Sequence, residues 1–167
     1  MVVEVLPEDL PDYDKYGAMK MMRYQEDIEQ TFYHAAGDSQ HTAAQRMSDF
    51  VAGRESRTLP RTSYAPGNTP GRVDQLLPKA IAYRLQQGFK DFGRKARGFL
   101  SNEAVVMGPE TRTSAPVRVP REPESRMHTA LAGLYPVGEG AGYAGGIVSA
   151  AIDGINSARA LAAALLK

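Results

Sequence analysis

The 167-residue chain contains no cysteine. That removes disulfides, thiolate metal ligands and any dithiol redox centre, so redox chemistry here would have to come from a bound cofactor. No apolar stretch is long enough to span a bilayer, because the hydrophobic C-terminal segment is broken by Asp153, Asn156 and Arg159. Met1-Val2-Val3-Glu4-Val5-Leu6-Pro7 has no basic residue and reaches a carboxylate at its fourth position. No signal peptide is read there, and a cytoplasmic location is expected. Neither G-x-S-x-G nor G-x-x-x-x-G-K-[ST] occurs, which excludes the hydrolase elbow and the P-loop. His34, His41 and His128 stand without a carboxylate pattern at ligand spacing, so no metal site is expected. Glycine is scarce at the front, where residues 1–37 hold only Gly17 and Gly37.

With 43% hydrophobic and 23% charged residues, the composition is that of a globular domain with enough chain for a core. The net charge of +1 hides an asymmetry: residues 1–40 carry nine acidic and three basic side chains, residues 41–100 four and eleven. No base-stacking aromatic motif accompanies the basic stretch, so nucleic acid is not the expected partner.

Periodicity predicts an α+β, helix-rich chain. A short strand is expected over Met1–Leu6, a helix over Tyr16–Ala36 stopped by Gly37, and a second helix over His41–Val51. Residues 53–71 hold three prolines and three glycines and read as an extended loop. Val73–Pro78 opens a short helical turn, and Ile81, Leu85 and Phe89 stripe a helix from Lys79 to Phe92. Short strands are expected at Ala104–Met107, Val117–Val119 and Leu134–Val137, and a last helix over Ala144–Leu166.

The densest signal is Leu134 to Ile147, where an apolar run meets five glycines, Gly138, Gly140, Gly142, Gly145 and Gly146, ahead of the last helix. Gly140, Gly142 and Gly145 satisfy G-x-G-x-x-G. A helix N-terminus behind a glycine turn suits an anion, because its amides and dipole point outward. A complete dinucleotide fold needs a second strand and an acidic residue about 20 positions on. The chain reaches Lys167 before either, so the turn reads as the closing piece of a nucleotide site.

Three segments together resemble the C-terminal part of the uncharacterised bacterial FAD-dependent dehydrogenases (NAD(FAD)-utilising dehydrogenases) of the glutathione-reductase-like class. They are Arg54-Glu55-Ser56 with Ser63-Tyr64-Ala65-Pro66-Gly67, then Glu110 to Arg118, then Gly138 to Gly154. The likeness runs from about His41 to Lys167. It implies a fragment of a two-domain FAD-dependent oxidoreductase lacking the N-terminal dinucleotide-binding βαβ unit. It also implies that FAD is the cofactor of the full-length parent, contacted through Gly138, Glu139, Gly140, Ala141, Gly142, Gly145, Gly146 and Ile147. Glu139 would hold the ribityl or nearby hydroxyls, and the helix start would face the N1–C2=O edge of the flavin. On this view residues 1–40 are an acidic leader, 41–127 a substrate-side region, and 128–167 the closing strand, turn and helix. The implied partners are the missing N-terminal FAD-binding half and a small-molecule substrate. The isolated chain is expected to be inactive and colourless.

Arg112, with Thr113 and Ser114, is a candidate for orienting an anionic substrate, since guanidinium forks bind carboxylate or phosphate bidentately. Glu110 and Tyr64 are candidate proton carriers. Along the last helix Gly146, Ala150, Gly154, Ala158 and Ala162 recur every four residues, a row that allows close packing against the missing half or self-association. The alternative reading is a non-catalytic helical interaction module whose glycine turn holds a small anion.

Overall fold

The structure is a computed structural model that describes residues 1–166. Its chain divides into two compact units, one of Met1–Pro11 with Glu26–Thr111, the other of Asp12–Gln25 with Arg112–Lys167. The expected α+β class holds: helices accompany a three-stranded sheet.

The first unit is organised by the short strand β1, Thr42–Arg46. It pairs in parallel with β2, Asn68–Pro70, and antiparallel with β3, Val105–Gly108, giving the order β2-β1-β3. Ala43, Ala44 and Gln45 are fully enclosed. Alanines at the centre of a sheet let neighbouring elements approach closely. Phe32, from the helix α1 (Lys20–Ala35), is 1% exposed, and a Cβ at Gly108 would lie 2.8 Å from its ring. Helix α2, Met47–Ala52, contributes the buried Phe50, which meets Phe89 edge to face at 5.7 Å. Phe89 belongs to α4, Lys79–Lys95, and buried Val73 to α3, Val73–Leu76. Gly53, at φ +64°, closes α2 in the left-handed conformation that glycine adopts without cost.

Gln45 is a polar group inside this core, and it is satisfied. Its Nε2 donates to the Arg54 carbonyl at 2.7 Å, and its Oε1 accepts from the Asp74 amide at 3.0 Å. Ser56 is also buried, accepting from the Arg46 amide and donating to Asp49 Oδ2. The Arg54-Glu55-Ser56 motif therefore ties the loop after α2 back to the central strand.

Several elements depart from the sequence expectation. The helix expected over His41–Val51 is β1 followed by α2, because residues 42–44 pair with β2 and residues 43–46 with β3, and the small Ala43 and Ala44 are paired on both sides. Alanine's helix propensity, a few tenths of a kcal/mol per residue against other residues, is overridden by that tertiary pairing. Met1–Leu6 joins no ladder; Leu6 instead accepts at its carbonyl from the Asp9 amide and starts a 3-10 turn. The helix expected from Tyr16 begins at Lys20, after a 3-10 stretch Pro11–Met19 interrupted at Gly17 (φ +53°).

In the second unit α5 covers Ile147–Leu165, close to expectation. The strands expected at Val117–Val119 and Leu134–Val137 make no ladder among the described residues. Backbone groups there take partners other than a strand: Val119 N–H donates to the Ala141 carbonyl, and the Pro136 carbonyl accepts from Arg121. No helix among the described residues is long and apolar enough to cross a membrane.

Candidate functional site

The glycine turn is held from three sides. Within it, Gly142 N–H donates to the Glu139 carbonyl at 2.9 Å and Tyr143 N–H to the Gly138 carbonyl at 3.0 Å. From the preceding segment, Val119 N–H donates to the Ala141 carbonyl at 3.1 Å, and Arg118 Nε to the Gly142 carbonyl at 3.1 Å. Tyr143 returns its hydroxyl to the Val119 carbonyl at 3.0 Å. The third side is α5, whose Asp153 accepts the Gly138 amide at 2.9 Å.

Asp153 is the electrostatic centre of this unit. Arg121 grips it bidentately, Nη2 to Oδ1 at 2.7 Å and Nη1 to Oδ2 at 2.9 Å, while Arg126 Nη1 reaches Oδ1 at 2.7 Å. The Arg121 and Asp153 side chains are only 8% and 9% exposed, so the charges are shielded and paired. Arg121 also lies 3.6 Å from the centroid of the Tyr143 ring, a cation–π contact. The Arg121 bonds, outweighing burial and joined by Gly138 N–H and Arg126, hold the Asp153 carboxyl well below its ordinary value. A depressed folded-state value stabilises the fold above the unfolded carboxylate range and loses that contribution as pH falls through and below about 4. Acid titration of the melting temperature should therefore show a loss beginning near that pH, and Asp153→Asn should flatten the profile. An unchanged slope in the variant would mean that Asp153 is not the responsible group.

The glycines are not equivalent. Gly138 and Gly142 sit at φ +73° and +82°, where side chains are strained. A Cβ at Gly142 would also lie 2.6 Å from the Val117 carbonyl oxygen. By contrast Gly140, Gly145 and Gly146 have no left-handed φ, and a Cβ on any of them would meet nothing within 4 Å. The local backbone does not itself require glycine at those three positions.

Of the residues singled out in the sequence, Arg112 and Glu139 come together: Arg112 Nη2 lies 4.0 Å from Glu139 Oε1, with the arginine half exposed. Tyr64 and Glu110 belong to the other unit. Tyr64 donates its hydroxyl to the Gln40 carbonyl at 3.1 Å, which occupies its proton in this geometry. In the sequence Asp153 reads only as an interruption of an apolar stretch; its place under the turn is set by contacts that spacing does not show. A lone carboxylate in an alanine-rich helix, with four arginines between 112 and 126, was the available signal.

The small-residue row also divides. Ala150 Cβ lies 3.8 Å from the position of a Cβ on Gly138, so this part of the row packs against the turn. Ala158 and Ala162 are exposed. The polarity of α5 is inverted for an isolated domain: Asp153 and Ser157 are its buried residues, while Ile147, Val148, Ile152, Ile155 and Leu165 are more than half exposed.

The chain belongs to the family described as FAD-dependent protein, C-terminal domain-like, whose model matches residues 1–113. The glycine turn lies beyond those matched residues. A relative from Clostridium beijerinckii, described as an uncharacterised protein, is 37% identical over 160 residues. The match covers 95% of this chain but 29% of the relative, so the chain spans less than a third of that protein's length.

Proposed function

We propose that this chain is the C-terminal part of an FAD-dependent oxidoreductase of dehydrogenase type in the glutathione-reductase-like class, with Gly138–Ile147 facing the flavin. The observation that carries it is the openness of Gly140, Gly145 and Gly146. Glycine where neither φ nor a neighbour demands it leaves close approach by an outside group as its physical use. The residues present fit FAD: an uncrowded backbone, a half-buried carboxylate at Glu139 to accept from hydroxyls, and the amides of the first turn of α5. The flavin would supply hydride or electron transfer when bound. The chain's own part is to orient it through Glu139 and the turn, with Arg112 beside Glu139 to orient an anionic substrate.

The outward apolar face of α5 supports a second element of this reading. Exposed apolar patches of this kind mark association surfaces. The remainder of the parent, its N-terminal FAD-binding half, would cover that face, and in the isolated chain the face would associate with a second copy.

Gly140→Ala tests the cofactor role. In the 167-residue chain the substitution should leave stability within about 0.5 kcal/mol, as for surface changes without a special role. In the complete parent polypeptide FAD affinity should fall about tenfold, equivalent to roughly 1.4 kcal/mol. Unchanged FAD affinity would return the turn to a packing role.

A further inference from the structure

We propose that Asp153, held by Arg121 and Arg126, is the positioning residue that fixes the glycine turn against the start of α5 and so sets the geometry of flavin binding. The inference rests on the flavin reading of that turn and adds a residue to it. Asp153 ties together the two parts that would meet the cofactor, the glycine turn and α5. Its Oδ2 takes the Gly138 amide, fifteen residues away in sequence, and its own backbone sits two turns into α5. Every other polar contact of the carboxylate converges on the same place. Arg121 bridges it to the Pro136 carbonyl at 2.8 Å, two residues before Gly138, and to the ring of Tyr143, within the turn. Arg126 donates to both Asp153 and Ser157 one turn further along α5. Asp153 itself faces away from solvent, so it acts through the turn without touching the ligand.

A carboxylate bound by two guanidinium groups and one amide has its acceptor sites largely committed, which fixes its rotamer and hence the Gly138 position. The Gly138 carbonyl accepts from Tyr143 N–H and the adjacent Glu139 carbonyl from Gly142 N–H, so the position of Gly138 carries through the closed turn to residues 140–142. A small misplacement of groups around a ligand is enough to lose affinity.

The first unit offers a matched control, because Asp74 is paired bidentately with Arg72 and is equally shielded, at 6% exposure. Asp153→Asn and Asp74→Asn are compared in the complete parent polypeptide, with FAD as the probe. Circular dichroism fixes a temperature at which both are folded. The expected result is a rise of at least tenfold in the FAD dissociation constant for Asp153→Asn, with a changed visible flavin spectrum, and no change for Asp74→Asn. In the 167-residue chain, hydrogen exchange at the Gly138 amide should accelerate in Asp153→Asn while amides of α4 keep their protection. If Asp153→Asn does not fold, Arg126→Gln, which removes one bond at a partly exposed position, should give a smaller loss in the same direction. FAD binding unchanged in the folded Asp153 variant, or equally weakened by both aspartate variants, overturns the positioning role alone. A wild-type parent that binds no FAD overturns the flavin reading and this inference with it.

Discussion

Replacing Arg121 by alanine is expected to be the most damaging single change in the second unit, costing about 3 kcal/mol of stability. Removing one partner of a buried ion pair leaves an uncompensated charge, and such losses run to about 3–5 kcal/mol. Asp153 would keep Arg126 and the Gly138 amide, which places the expectation at the lower end. The variant also loses the contact with Tyr143 and the bond to the Pro136 carbonyl. Arg118→Ala is the comparison, because Arg118 is exposed and its cation–π contact with the same ring is longer, 4.8 Å. Chemical denaturation of both variants checks this. A loss under about 1 kcal/mol for Arg121→Ala would show that the pair is no stronger than a surface bridge.

Gly142→Ala should have the second largest effect, roughly 2–3 kcal/mol. Left-handed φ costs an L-residue about 1–2 kcal/mol, and overpacking adds typically 1–3 kcal/mol. The new methyl would meet backbone, the Val117 carbonyl oxygen, which cannot swing aside as a side-chain tip would. Gly140→Ala, two residues away, should be silent in the same denaturation experiment. Similar losses at the two positions would mean that the turn does not discriminate between its glycines as the geometry says.

The final helix, the amphipathic α4 and the stop at Gly37 were legible because their signals are local: apolar spacing and glycine. The Gly138–Ile147 turn was legible for the same reason. Strand β1 was not, since Ala43, Ala44 and Gln45 show no alternation when both faces are buried and alanine favours helix. The strands expected at Val117–Val119 and Leu134–Val137 carry the right β-prone residues but lack a ladder, and a residue's preference says nothing about the presence of a partner. Arg121 was visible as one of four arginines; that it and Arg126, rather than Arg112, reach Asp153 depends on a contact 32 residues apart. Charge in sequence could name the candidates, but only the folded chain pairs them.

The most direct test is the visible flavin absorbance of two purified proteins, the 167-residue chain and the complete parent polypeptide, each supplied with excess FAD and then desalted. A colourless short chain is expected, together with a longer protein that retains about one flavin per polypeptide. A short chain that keeps stoichiometric FAD, or a parent that keeps none, would contradict the flavin reading.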